Sequence, residues 1–356
     1  MRILLRAGCA ALLLCAGTLP AQIPKELPRS RVVESISIDA APFAPFLSMG
    51  DLWFTTWADD DKLYGAWGDG TGPVPLTTWS LMTDCGILEY TGDPPKLTAT
   101  VVRRDAPTQF EPRVDDKPSS LLAVDGRLYG AFHSPLGDAR IGYLAYSDDY
   151  GSNWSRLGFF LPGETKPANA SPWTNEANSN FRCLFLINMG KNYSLNSDGY
   201  VYGLGIGKEW DWDGPVYLAR VQRVRIVSYS AWEYFSGLDA SGKPHWSKAQ
   251  SDAKPVPGLY TPDQGSAIYH AGVKRYLFLN KEHLWEAPQP WGPWTVAGDF
   301  PSEPEAWQKG YQPGIITKGA GPDSFWFTIA GKGTTPNLSY SLHIGKMVMR
   351  LAPGSQ

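Results

Sequence analysis

Lys62-Leu-Tyr-Gly-Ala-Trp67 returns further along the chain as Arg127-Leu-Tyr-Gly-Ala-Phe132. Each copy follows a short apolar stretch (52–57 and 120–124) and a tight turn carrying Asp or Gly. Looser echoes come at 185–188 with Gly199-Tyr-Val-Tyr-Gly-Leu204, at 267–271 with Lys274-Arg-Tyr-Leu-Phe278, and at 314–317 with Ser324-Phe-Trp-Phe-Thr-Ile329. The aromatic anchors Tyr64, Tyr129, Tyr202, Tyr276 and Trp326 stand roughly 50 to 75 residues apart, long for a bare four-stranded unit, so some repeats carry insertions. Most echoes are followed by a third apolar segment, at 141–146, 216–220, 284–287 and 338–342. Repeated hairpins with no helical period between them predict radial repetition. The expected fold is an all-β, five-bladed β-propeller over residues 46–352, preceded by a leader (1–21) and an N-terminal extension (22–45). A long β-sandwich is the alternative.

One turn is more specific. Ser147-Asp-Asp-Tyr-Gly-Ser-Asn-Trp154 fits S-x-D-x-G-x-x-W, the Asp-box hairpin of sialidase-like propellers. Asp149 suits backbone N–H groups of the turn, Gly151 a positive φ, and Trp154 the space between blades. Pro290-Trp-Gly-Pro-Trp294 reads as a degenerate relative. The box is a folding device on the face away from an active site.

Composition agrees with this architecture. The chain holds 37 Gly and 30 Pro, too many turn formers for a helical protein, and 15 Trp, 17 Tyr and 14 Phe, an aromatic load typical of sheets. Most of these aromatics are expected between blades, and the rest suit stacking on sugar rings. Arg2 and Arg6, an apolar run over 7–16 and Leu19-Pro-Ala21 follow the order of a secretory leader. The run is too short for a transmembrane anchor, so a secreted or periplasmic protein is expected. Lipoprotein attachment at Cys15 is disfavoured by the bulky Leu14 before it. Beyond the leader only Cys85 and Cys183 remain, too few for a disulfide framework. A net charge of −3 without a basic block argues against nucleic acid as a partner. A monomer is expected.

Several motifs then fall into a known order: Trp57-Ala-Asp-Asp-Asp61, Gly68-Asp-Gly70, Lys117-Pro-Ser-Ser120, Gly190-Lys-Asn-Tyr193, Tyr217-Leu-Ala-Arg-Val221, Glu233-Tyr-Phe235 and Pro290-Trp-Gly-Pro-Trp294. Together they resemble a bacterial family of secreted five-bladed propellers long labelled a domain of unknown function. Its relatives include glycoside hydrolases acting on D-arabinan. The resemblance runs over most of the mature chain and implies an essential aspartate at the position of Asp51.

Topology narrows the candidates. If the Asp-box hairpin joins third to fourth strands on a far face, the near face carries residues before each first strand and after each second. That rule selects Asp51 and Asp69, with Asp51 as base or nucleophile. It offers Asp213 as acid ahead of Glu209, Glu282 and Glu305, since a glycosidase needs two carboxyl groups flanking the scissile bond. Asp59 and Asp60 are second choices, because the run 59–61 belongs to the far hairpin as a turn cap. Trp57, Lys117, Asn188, Lys191 and Trp212 are candidate substrate-binding residues, and Trp210 would add an aromatic. Arg220 inside a strand needs a partner such as Glu233, and His133 is expected to be a bystander. Three arginines for a sialate carboxylate are missing, which argues against a sialidase. No cofactor and no catalytic metal are expected; a structural calcium is the one ion the acid run allows, although its spacing is wrong for alternating oxygen ligands. The expected function is a secreted glycoside hydrolase on an arabinan-like, furanose-containing or related extracellular polysaccharide. The alternatives are a non-catalytic glycan-binding propeller and a polysaccharide lyase.

Overall fold

The first strand, β1 (Val33–Asp39), pairs antiparallel with the last, β23 (Ser339–Leu351), in the computed structural model of the chain. The structure describes residues 24–39, 48–74, 81–105, 116–134, 141–157, 180–208, 212–301, 310–332 and 339–354. Five antiparallel sheets follow one another. Blade one sets β2 (Met49–Asp51) and β3 (Thr55–Trp57) on β4 (Leu63–Gly72), followed by β5 (Thr83–Asp93) and β6 (Lys96–Arg104). Blade two is β7 (Lys117–Val124), β8 (Arg127–Ser134), β9 (Ile141–Ser147) and β10 (Ser155–Arg156). Blade three runs β11 (Cys183–Leu186), β12 (Tyr200–Ile206), β13 (Gly214–Gln222), β14 (Glu233–Leu238) and β15 (Pro244–Ser247), with β16 (Pro255–Thr261) also on β13. Blade four is β17 (Ser266–His270), β18 (Arg275–Leu279), β19 (His283–Ala287) and β20 (Thr295–Asp299). Blade five is β21 (Tyr311–Ile316), β22 (Ser324–Lys332) and β23, closed on its outer edge by β1.

The chain is therefore an all-β, five-bladed β-propeller. All five sequence echoes are the first and second strands of successive blades. One boundary needs correction: Val33–Asp39, set apart above as extension, supplies the fourth strand of blade five. The sequence did not reveal this because the strand pairs with a segment some three hundred residues away. The proposed leader, 1–21, lies outside the described residues, as do Glu209, Trp210 and Glu305.

Inner strands are buried on both faces, as the unbroken burial of β7 illustrates, while outer β6 alternates. The core lies between blades. Tyr64 and Ile87 of blade one meet Leu121, Phe132 and Trp154 of blade two. Trp53, Trp67 and Tyr90 meet Ile316 and Ile344 across the closing seam. In the Asp-box, Gly151 N–H donates to Ser147 Oγ at 2.7 Å and Asn153 N–H to Asp149 Oδ1 at 2.8 Å. Gly151 has φ +93, and the buried Trp154 meets the Phe132 ring edge-on at 5.6 Å. Cys85 and Cys183 are both buried, and neither forms a disulfide. Among the described residues, no helix is long and apolar enough to cross a membrane, and no group of three or more His, Cys, Asp or Glu is placed to hold a metal.

Candidate functional site

The strand register sorts the candidate residues to two ends of the propeller. Asp51 faces Gly68 and Lys117 faces His133 at one end, whereas Trp57 faces Leu63 at the other. Asp51 and Trp57 are six residues apart on one inner stretch, hence at most about 20 Å apart along it. That stretch breaks at Leu52, whose φ is +55, and resumes at Thr55. Asp51 directly precedes the break, at the same end of the propeller as Lys117. Two indoles brace the approach: Trp53 Nε1 donates to Gly50 O at 3.0 Å and Trp67 Nε1 to Gly70 O at 3.1 Å.

Asp51 is only 7% exposed. Its Oδ2 accepts from Tyr311 Oη at 2.8 Å and Tyr340 Oη at 3.1 Å, while buried Oδ1 accepts nothing. Burial, reinforced by the Asp69 charge, pushes its pKa up to about 6, against the opposing pull of both phenols and Lys117. The phenols are themselves driven above the ordinary range, chiefly by burial and by the Asp51 charge.

Lys117, 1% exposed at the head of β7, donates to Asp69 Oδ1 at 2.5 Å and stands 3.9 Å from Asp84. Gly68 lies between the two groups. A Cβ added there would come within 2.6 Å of Asp51 Oδ1 and 3.4 Å of Lys117 Cδ. Behind them, Tyr143 donates to the buried Asp116 at 2.7 Å, and Ser119 Oγ meets His133 Nδ1 at 2.8 Å. Burial, then the Lys117 charge, lowers the pKa of His133 to about 3, so the ring is neutral.

Asp51, Asp69 and Lys117 thus come together. Asp213, at the head of β13, is exposed on the same face, and no contact among the described residues joins it to them. Trp212 is half-buried with Nε1 on Pro215 O at 2.8 Å. Asn188 is not free for a ligand: its Oδ1 accepts from Thr56 at 2.7 Å and its Nδ2 donates to Leu121 O at 3.0 Å, which ties blades one, two and three across the channel. Trp57 and Lys191 sit at the far end around Asp61, where Lys191 Nζ reaches Oδ1 at 2.9 Å. Asp60 caps the turn through Lys62 N–H and Tyr64 Oη, and Asp59 accepts from Tyr150. Arg220 does pair with Glu233, at 2.9 Å.

Sequence reasoning missed Tyr311 and Tyr340. Tyr311 opens the first strand of blade five, the position that singled out Asp51 in blade one, so the same rule reaches it. Tyr340 has φ +51 near the start of β23 and carries no such signal.

Solved structures share this architecture at low identity. A putative hydrolase from Bacteroides ovatus ATCC 8483 superposes with a TM-score of 0.52 at 12% identity, over 85% of this chain and 87% of that one. CoXyl43, a GH43 β-xylosidase/α-arabinofuranosidase from a compost microbial metagenome in complex with xylotriose, gives 0.51 at 13%, over 88% and 95%. The GH43_1 enzyme from Xanthomonas citri complexed with xylotriose gives 0.50 at 14%, over 86% and 89%. At these identities the likeness concerns the fold. No curated protein matches the sequence. A family model does match, across residues 90–323, well over half of the chain, and the protein belongs to the family described as Domain of unknown function (DUF4185).

Proposed function

We propose that this propeller is an exported glycoside hydrolase acting on a pentose-containing polysaccharide of the arabinan or xylan kind, with Asp51 and Asp69 as its working carboxyl groups. The observation that carries this is the contrast between the two. Asp51 is buried, with its pKa raised to about 6, while Asp69 is half-exposed and clasped by the Lys117 ammonium. Two neighbouring carboxyls with unlike surroundings are what acid–base cleavage of a glycosidic bond requires. The role suggested for Asp51 by sequence is thereby reversed. Its burial favours the protonated form, so Asp51 donates a proton to the leaving oxygen as the bond to the anomeric carbon breaks, and Asp69 accepts one from the attacking water. Asp213 is the second candidate for the donor.

The leader-like order of residues 1–21 supports an extracellular or periplasmic polymer as substrate. The GH43 relatives with bound xylotriose support the pentose class at the level of fold. A lyase is less well supported, because Tyr311 and Tyr340 hold their protons more tightly than free phenols, the reverse of what proton abstraction needs. The test is incubation of the mature protein with arabinans, xylans, galactans and uronans, followed by assay of reducing ends and unsaturated products. Reducing ends that vanish in Asp51→Asn and Asp69→Asn are expected. Silence across the panel from a folded protein would sink the reading.

A further inference from the structure

The far end of the propeller, opposite Asp51, holds two adjoining cavities of about 310 Å³ each. Both are lined by Leu195 and Tyr269, so they form one two-lobed groove with these side chains as the divide. Each lobe is near the lower limit for a small-ligand pocket, which suits one or two sugar rings better than a large molecule. The first lobe is walled by Trp57, whose indole plane is fixed by a 3.1 Å hydrogen bond to Asp61. The second is polar and is lined by Asp198, Lys274, Tyr276 and Gln289. Between the lobes the Tyr269 and Tyr276 rings lie 5.1 Å apart, tilted by 56°.

Three features narrow the occupant. The aromatic walls suit the apolar faces of sugar rings. The hydroxyls of Tyr269 and Tyr276 and the amide of Gln289 have no hydrogen-bond partner among the described residues, leaving donors and acceptors for sugar hydroxyls. The charges cancel locally. Lys191 is matched by Asp61 at 2.9 Å, Lys318 by Asp93 at 3.1 Å, and Lys274 shares its lobe with Asp198. Among the described residues, an anionic chain would meet a single cation outside an ion pair, Lys274, with the Asp198 carboxylate in the same lobe to repel it. The groove is also separate from the mouth at Asp51, because Thr56 and Asn188, buried and bonded to each other, occupy the channel between them.

We propose that this groove is a second, non-catalytic binding site for a neutral oligosaccharide segment, which tethers the enzyme to its polymer from the end opposite the catalytic mouth. The choice of sugar as ligand rests on the hydrolase assignment above; the existence of the groove does not.

The test is native electrophoresis through gels containing arabinan, arabinoxylan, dextran or polygalacturonate. It compares wild type, Asp51→Asn and the double variant Tyr276→Phe with Gln289→Ala. The double variant keeps the ring packing, and its melting point serves as the folding check. A neutral pentose polymer should retard wild type and Asp51→Asn equally. The double variant should bind about fivefold or more weakly, as expected for one or two lost hydrogen bonds, while its hydrolysis of short soluble substrate stays unchanged. Equal retardation of wild type and double variant, retardation by polygalacturonate alone, or no retardation by any polymer each overturns the site. Whether wild type hydrolyses and Asp51→Asn does not is read separately, so the catalytic assignment can stand where the groove fails.

Discussion

The phenol of Tyr311 donates to Oδ2 of Asp51 at 2.8 Å, joining the first strand of blade five to the first strand of blade one at the near face. The bond places a catalytic candidate on the seam where the ring of blades closes. It also sets two effects against each other, since burial raises the Asp51 pKa while the phenol lowers it.

Substituting Asp51→Asn should cut hydrolysis by about a hundredfold or more, the usual contribution of a positioned acid. Its effect on stability should depend on pH. The folded carboxyl, with a pKa near 6 against 3.8 unfolded, binds its proton more tightly than the unfolded chain does. Asp51 therefore makes the wild type less stable as pH rises from about 4 to 6, by roughly 3 kcal/mol for a shift of this size. Urea midpoints should show the wild type losing this increment between pH 4 and 7 while Asp51→Asn does not. Parallel profiles for the two proteins would refute the assignment of a raised pKa.

The alkaline limb of the pH–activity curve should report Asp51, with activity falling as pH rises through about 6. Because the hydrogen bond from Tyr311 lowers this pKa, Tyr311→Phe should move the limb to higher pH. Tyr340→Phe should move it the same way by less. Initial rates across pH 4–9 measure both. A shift to lower pH in either variant would contradict the stated cause.

Gly68→Ala tests the geometry without touching a charge. The new methyl would lie 2.6 Å from Asp51 Oδ1, so the carboxyl must move. Activity should fall about tenfold to a hundredfold, since sub-ångström misplacement is costly in catalysis. The glycine's φ is not positive, so backbone strain adds nothing and the melting point should fall less than in the Asp-box variant described next.

Gly151→Ala should be a stability variant with the site intact. The position has φ +93, and a Cβ would meet Ile87 Cγ2 of the neighbouring blade at 2.7 Å. A loss of about 1–3 kcal/mol is expected from strain and overpacking together. Turnover per folded molecule should be unchanged.

Removal of residues 1–40 would strip β1 from β23 and leave a bare outer edge on blade five. Such a protein should melt well below the version cut at residue 21, and light scattering should show it aggregating. Equal melting points would show that β1 is dispensable.

Much of this architecture was legible in the chain because blades are local. The hairpins carrying Tyr64 and Tyr129 are each built from contiguous residues, and turn chemistry with apolar strands marks them one by one. Asp51 and Asp69 could be picked out by the rule that strand order assigns residues to faces, whereas Lys117 stood out only as one cation among several. Trp57 and Lys191, read as substrate-binding candidates, belong to the end opposite Asp51: Trp57 because the stretch 52–57 carries its two ends to different faces, and Lys191 because it follows the first strand of blade three. Asn188 gave no warning that its amide would be spent between blades.

That the chain is all-β, that it repeats five times, and which acids lie at strand heads can all be read from the residues alone, since these follow from local pattern and turn preference. The environment of those acids is set by the folded ring. The burial of Asp51, its clasp by Tyr311 and Tyr340, the Lys117–Asp69 pair and the closure of blade five by β1 all join residues distant along the chain. Desolvation and hydrogen bonding depend on neighbours in space, and those neighbours exist only once the ring of blades has closed.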